Sequence, residues 1–361
     1  MNKRIPVYEP FKCDNTKKYV LDCITSNWIS SKGDYLGKFE TSIKDRFGVK
    51  HCTSVSNGTS ALFLALKAID IKREDEVITS NFTYVASTNS ILSVGAKPVF
   101  VDIRNSDLNI DVSQIEEKIT TKTKAILYTN VYGFIADYER LKGICEKYNL
   151  MLIEDAAESL GGKYKSMFSG TLGDISTFSF FGNKTITTGE GGMVMSNKKS
   201  IIEKVRKLKN QGNSKTKVYY HDQLGYNFRM TNIQAAIGLS QIEKLTEILK
   251  LKRKLQKSYY DGLGTKVNFL KASNNTEPSF WVIPILFENT RQKQNVEFAL
   301  KKEEIETRPL FQPIDTLPFY ETDNSINRAK SIFRKGLILP SYPGLTENQI
   351  ERIKHIIFKN L

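Results

Sequence analysis

The chain has 361 residues, with 53 Lys plus Arg against 39 Asp plus Glu and a formal net charge of +14. Hydrophobic residues make up 40% and charged residues 25%, which fits globular domains with a full core and excludes disordered, collagen-like and low-complexity classes. The length allows about two domains of roughly 150 residues, and no run approaches the ~18 apolar residues of a membrane span. Met1-Asn-Lys-Arg-Ile-Pro6 is not followed by the apolar stretch of a signal peptide, so a cytoplasmic protein is expected.

Cys13, Cys23, Cys52 and Cys145 are widely spaced and the chain has only 3 His, so neither a paired zinc motif nor a disulfide framework is expected. Reduced thiols and no metal site are the reading. The positive balance leaves nucleic acid, anionic membrane surfaces and small anionic substrates open as partners.

In chain order, Ser54-Val-Ser-Asn-Gly-Thr59 precedes Ala61, Leu62, Leu64, Ala65, Ala68 and Ile69, whose spacing predicts a helix capped by Ser56 or Asn57. Short apolar runs follow at Val77 to Thr79, Pro98 to Val101, Ala125 to Thr129 and Leu150 to Ile153, each suited to a strand buried on both faces. A helical pattern at Tyr138 to Tyr148 fits between two of them, so the first two thirds reads as repeated strand and helix units of an α/β domain with a mostly parallel sheet. Thr231 to about Leu255 reads as one long helix, and the boundary is placed at 1–250 for the large domain and 251–361 for a smaller α+β domain. In that tail, Val267 to Leu270 and Phe280 to Phe287 read as strands, Gln292 to Lys302 as a helix, and Arg308 to Pro318 as a loop.

Two phosphate motifs are absent. Gly33-Asp-Tyr-Leu-Gly37-Lys38 is one residue short of a Walker loop, and Gly189-Glu-Gly-Gly192 is not a dinucleotide fingerprint. What remains is Ser56-Asn-Gly-Thr59 at a helix start, where free amides either receive a simple N-cap or hold an anion. Glu154-Asp155-Ala-Ala-Glu158 follows a buried strand, at the strand end where ligands of open α/β sheets bind. Gly173-Asp-Ile-Ser-Thr-Phe-Ser179-Phe-Phe-Gly-Asn-Lys184 reads as a strand that runs into a Gly- and Thr-rich turn ending at Gly192, with Lys184 just beyond the strand, where its amine could lie in a cleft. Burial there disfavours the ammonium and frees an amine for bonding a carbonyl. An amine, a carboxylate from another strand end, the Ser179 hydroxyl and a helix N-terminus together match what pyridoxal 5′-phosphate (PLP) requires.

The chain resembles the DegT/DnrJ/EryC1/StrS sugar aminotransferases, which have the aspartate aminotransferase fold (fold type I). The resemblance rests on Ser56-Asn-Gly-Thr59, Phe82-Thr-Tyr84-Val-Ala, Glu154-Asp-Ala-Ala-Glu158, Ser179-Phe-Phe-Gly-Asn-Lys184, Thr188-Gly-Glu-Gly-Gly192 and Gly225-Tyr-Asn-Phe-Arg-Met230. Trp28-Ile-Ser-Ser-Lys-Gly33, the Phe-Phe-Gly-Asn-Lys form of the lysine segment and Glu306-Thr-Arg-Pro309 look most like the branch that makes GDP-perosamine.

By that resemblance, Lys184 bonds the aldehyde of PLP and later shuttles protons. Asp155 faces the pyridine nitrogen, Ser179 with the Gly58 and Thr59 backbone holds the phosphate, and Tyr84 stacks on the ring. Glu158 lies near the 3′-oxygen, a place where relatives carry Gln or His and where a carboxylate must be protonated to sit beside a phenolate. Asn227 reaches a neighbouring subunit's phosphate, which implies a homo-oligomer, at least a dimer, with shared active sites. The implied reaction moves the amino group of L-glutamate to C4 of GDP-4-keto-6-deoxy-D-mannose, for O-antigen synthesis. Trp28, Ser31, Lys32 and Arg308 are candidates for substrate contacts, Arg308 because a guanidinium binds diphosphate or carboxylate oxygens in pairs.

Three alternatives are weighed. PLP-dependent sugar dehydratases resemble this family but have His where this chain has Lys184. Another nucleotide-linked ketosugar, with dTDP or UDP, fits the same motifs. A nucleic-acid-binding regulator fits the charge, yet no recognition module stands out. The charge is also local: Lys198 to Lys257 holds 15 Lys plus Arg against 4 acids, so 15 − 4 = +11 of the +14 lies there. Small anionic ligands and a solvated helix face at Lys250-Leu-Lys-Arg-Lys254 account for it better than DNA.

Overall fold

The apolar runs assemble into a seven-stranded sheet in the computed structural model, which describes residues 4–321 and 326–361. Its strands are β1 (His51–Val55), β2 (Glu76–Ser80), β3 (Lys97–Val101), β4 (Thr123–Thr129), β5 (Met151–Asp155), β8 (Ile175–Ser179) and β9 (Gly192–Ser196). The order is β1-β9-β8-β5-β4-β2-β3. β9 runs antiparallel to both neighbours, so β1 shares the direction of β8, and β8, β5, β4, β2 and β3 are parallel. β6 (Lys163–Tyr164) and β7 (Met167–Phe168) form an excursion that pairs with β11 (Thr276–Glu277). The tail builds a four-stranded antiparallel sheet from β10 (Asn268–Phe269), β12 (Ile283–Leu286), β13 (Arg308–Pro309) and β14 (Gly336–Leu339).

Helices cover the sheets because their apolar stripes have nowhere else to go. α1 (Asn15–Thr25) and α2 (Asp34–Phe47) precede the first strand, and α3 (Gly58–Ala68), α4 (Ala86–Ser93), α5 (Tyr138–Tyr148) and α6 (Lys199–Leu208) connect or flank the large sheet. α9 (Thr290–Lys302), α10 (Arg328–Lys335) and α11 (Glu347–Lys359) belong to the tail. α3 is apolar nearly all round and buried in a core with Val55, Val77, Leu127 and Ile153.

The long helix expected over 231–255 is two helices. α7 (Asn232–Glu243) starts with a capping box from Thr231 and Gln234 and ends at Lys244, where α8 (Leu245–Leu263) begins. Lys244 has φ −98 and ψ 2, outside helical values, and marks the break. α8 joins two cores: Leu245, Ile248 and Leu249 pack with the large-sheet helices, whereas Leu255, Tyr259 and Leu263 pack against the tail. The first residues join the tail as well, since Ile5 bridges Ile305 and sits in that core.

A second correction concerns the basic run in α8. Lys250, Arg253 and Lys254 are exposed, as a solvated face requires, but Lys252 is buried at 1% exposure. All four cysteines are free thiols, and burial raises Cys52 and Cys145 to about 12. Among the described residues no helix is long and apolar enough to cross a membrane.

Candidate active site

The carboxyl ends of the parallel strands converge on a cavity of about 360 Å³ lined by Gly58, Thr59, Tyr84, Asp155, Glu158, Ser179 and Lys184 among others. At β1 the chain turns into α3, with Asn57 in an extended conformation and its side chain accepting the Ser60 amide at 2.8 Å. Gly58 and Thr59 are the first helical residues, whose amides lack an acceptor within the helix. A Cβ on Gly58 would come within 2.8 Å of the Ser179 Cβ and 3.1 Å of its Oγ. Glycine therefore keeps the helix start and the end of β8 in direct contact.

β5 splits its acidic pair because successive side chains point to opposite faces. Glu154 turns away from the cavity and accepts from Asn130, Ser169, Ser176 and the amides of Gly170 and Leu172. Asp155 faces the cavity, accepting the Ser87 hydroxyl at 2.6 Å and the Ala157 amide at 3.1 Å. Burial raises both carboxyls, opposed by those hydrogen bonds and, at Asp155, by the Lys184 charge. Thr83 and Thr129, 2.9 Å apart, extend the hydroxyl network behind Ser87.

Glu158 is buried and accepts the Tyr132 amide at 2.7 Å. Desolvation pushes it up to about 7, and Asp155 adds to that while Lys184 opposes it. Tyr132 holds a left-handed φ of 56°, uncommon for an aromatic residue, and its hydroxyl accepts the Phe311 amide at 2.8 Å. Strained backbone here sets the donor that fixes Glu158.

Lys184 lies on the turn between β8 and β9, its amide donating to Phe181 at 2.9 Å. Its Nζ stands 3.9 Å from the centroid of the Trp281 ring. Desolvation lowers its ammonium, and Glu158 and Asp155 pull the other way. Two side chains from elsewhere grip this turn: the Trp281 indole donates to the Asn183 carbonyl at 2.7 Å, and the Tyr8 hydroxyl donates to the Lys184 carbonyl.

A larger cavity of about 800 Å³ adjoins the first and shares Tyr84, Phe181, Asn183, Trp281 and Phe311 with it. Tyr84 is 56% exposed at this junction, with Phe311 at 5.8 Å between centroids. Arg308 lines the larger cavity and pairs with Glu306 at 2.5 Å. The other sequence-derived substrate candidates lie apart. Trp28 and Lys32 are exposed and Ser31 half-buried in a loop held to the start of α7, where Asn232 donates to the Trp28 carbonyl and to that of Ser30. None of these three is among the described residues lining either cavity. Asn227 is exposed, accepts from Arg229 at 3.0 Å, and is likewise outside the cavity of its own chain.

Sequence reasoning did not find Tyr8, Ser87, Tyr132, Trp281 or Phe311. Trp281 had a usable signal, as one of 2 Trp in the chain, placed at the start of a strand. Tyr8 and Tyr132 had none, because their contacts span 176 and 179 residues.

The donor set fits PLP. One amine faces two buried carboxylates, and the helix start beside Ser179 leaves room that a single methyl group would close. The comparisons agree. The chain is 45% identical over 359 residues to a GDP-perosamine synthase of Vibrio cholerae, covering 98% of each chain. It is 44% identical to a GDP-perosamine synthase of Escherichia coli O157:H7, covering 96% of each. A putative sugar aminotransferase of Streptococcus pneumoniae, solved in its PLP form, superposes with a TM-score of 0.93 at 25% identity, over 99% of this chain and 100% of that one. The profile of the DegT/DnrJ/EryC1/StrS aminotransferase family matches residues 12–358, and the chain belongs to that family.

Proposed function

We propose that this protein is a PLP-dependent aminotransferase that moves the amino group of L-glutamate to C4 of GDP-4-keto-6-deoxy-D-mannose, giving GDP-perosamine for lipopolysaccharide O-antigen. The observation that carries the chemistry is the Lys184 amine, desolvated against Trp281 and flanked by Asp155 and Glu158. The choice of a GDP sugar is supported by the names of the relatives that are 45% and 44% identical. A cytoplasmic location follows from that choice, because nucleotide sugars are cytoplasmic substrates.

Lys184 would hold the cofactor by its aldehyde, Asp155 its pyridine nitrogen, Ser179 with the Gly58 and Thr59 amides its phosphate, and Tyr84 its ring face. When bound, the cofactor supplies an electron sink that stabilises a carbanion at the amino-bearing carbon. The chain's own work lies in binding and proton movement. A negative Asp155, kept in place by Ser87 and the Ala157 amide, favours a proton on the group it faces. Lys184 Nζ, whose ammonium burial disfavours, would take the proton released at the donor's amino-bearing carbon and return it to the carbon across the transferred nitrogen, a role typically worth about 10² to 10⁴-fold. Glu158, raised to about 7, is in a state to donate a hydrogen bond to an anionic oxygen at neutral pH. The larger cavity, reached past Tyr84 and Phe311, has room for the nucleotide sugar, with Arg308 at its wall for diphosphate or carboxylate oxygens.

The test is mass spectrometry of products from a panel of GDP-, dTDP- and UDP-linked 4-ketosugars with glutamate. Conversion of the GDP sugar with one 2-oxoglutarate per aminosugar is expected. Conversion of a dTDP or UDP sugar alone would reject the GDP assignment, and a 3-deoxy product would reject transamination.

The active form proposed is a homodimer or higher oligomer in which Asn227 serves the partner's phosphate site. Mixing Lys184→Ala and Asn227→Ala proteins under exchange should then restore activity, up to about a quarter of wild type for random pairing. No restoration in a mixed dimer isolated with two tags would end the shared-site reading.

A further inference from the structure

Lys252 of α8 is a buried cation outside the cavity. At 1% exposure, its Nζ donates to the Trp281 carbonyl at 2.9 Å and to the Ser341 carbonyl at 2.8 Å, and lies 5.3 Å from the centroid of the Tyr8 ring. Burial alone pushes it down to about 7, and among the described residues no carboxylate opposes that shift. A buried amine without an anion is costly, and an apolar residue of similar length would fill the same space at less cost. The cost requires a return elsewhere.

The contacts show where it goes. Trp281 and Tyr8, the two residues that Lys252 touches beside Ser341, are the two that grip the lysine turn, at the carbonyls of Asn183 and Lys184. Ser341 completes the node, since its amide donates to Val7 at 3.0 Å and its hydroxyl accepts the Ile283 amide at 2.9 Å. The N-terminal segment at Val7 and Tyr8, the approach to β12 and the exit from β14 thus meet around the Lys252 amine and Ser341. Trp281 also packs in a buried apolar cluster and Tyr8 follows Val7, whose amide donates to Glu306 at 3.2 Å, so Lys252 adds the tie that sets these two side chains relative to each other.

We propose that Lys252 is a positioning residue for the reaction: it fixes Trp281 and Tyr8, and through them the turn that presents Lys184 Nζ to the cavity. The inference rests on Lys184 being the amine that carries the cofactor.

The test uses holoenzyme with Lys252→Met, together with Tyr8→Phe and Trp281→Phe. The readouts are kcat and KM for both substrates, the pH midpoint of the bound cofactor's visible band, and the rate of borohydride trapping at Lys184. Lys252→Met should lower kcat about tenfold to a hundredfold, the range for a small misplacement of a reacting group, with KM nearly unchanged. The band midpoint should move in the same direction as in Tyr8→Phe and Trp281→Phe, and combining Lys252→Met with either should cost less than the sum. A mere staple between α8 and the tail would change the melting temperature but neither the band nor its midpoint. Folded Lys252→Met with wild-type kcat and midpoint overturns the proposal, as does strict additivity. Should Lys252→Met not fold, unchanged kcat and midpoint in both other variants overturn it. A wild type that takes no PLP fails the functional reading itself, whereas an active coloured wild type with unperturbed variants fails this inference alone.

Discussion

Lys184 Nζ and the ring of Trp281 lie 3.9 Å apart, so the amine rests on an aromatic face rather than in water. A ring face attracts a cation weakly while excluding solvent, which keeps the amine placed in either protonation state. Purified protein supplied with PLP should be yellow. Borohydride should bleach the band and leave a mass label on the peptide carrying Lys184. Lys184→Ala should lose kcat by about 10²-fold or more while keeping the wild-type melting temperature within a few degrees. A label on another lysine would displace the assignment.

Asp155 predicts opposite effects on stability and activity. Its carboxyl is raised by burial, so stability present below the unfolded value is lost as pH rises through the folded value, and above that the buried group is a net cost to the empty protein. Asp155→Asn removes that cost, and the Ser87 hydroxyl can turn to accept from the new amide. The variant should melt higher than wild type without cofactor, yet lose about 10²-fold or more in kcat, as expected when a preorganised charge is removed. Calorimetry of the apo form and steady-state kinetics of the holo form give the two signs.

Glu158 sets a pH dependence. Its folded value, about 7, exceeds the ordinary 4.5, so between those values the native state binds the extra proton. Its contribution is complete below about 4.5 and is lost as pH rises through about 7, a loss of about 3 kcal/mol in all. In Glu158→Gln apo protein the denaturant midpoint should fall less between pH 5 and pH 7.5 than in wild type. Parallel slopes in the two proteins would show that another group titrates there.

Gly58 tests the anion cradle. In Gly58→Ala the new methyl meets Ser179 at 2.8 Å, a close contact that typically costs about 1 to 3 kcal/mol where the backbone cannot yield. The apo protein should still fold, and the Kd for PLP should rise about tenfold or more. Asn57→Ala, which loses only the cap on Ser60, should cost about 1 kcal/mol of stability with a smaller effect on PLP.

Much of the site was legible in the sequence because its residues sit at ends of elements that local pattern defines. Asn57 caps α3 where the apolar period begins, Asp155 closes β5, and Ser179 closes β8. Those ends meet because a parallel sheet places all its carboxyl edges on one side. β1 and β9 were not legible. β1 is a short mixed run, His51–Val55, and β9 follows a glycine-rich turn, so neither stands out until the sheet pairs them.

The sequence by itself determined the α/β class and the family and pointed to Lys184, Asp155, Glu158 and Ser179, which the fold brings to one cavity, because periodicity and motif order are properties of short stretches. Only the tertiary structure decided that the basic net charge hides a buried member. Lys250, Arg253 and Lys254 face water, while Lys252 turns inward to Trp281 and Ser341, 29 and 89 residues away. Which side of a helix is inside depends on what packs against it, and here that partner comes from the far end of the chain.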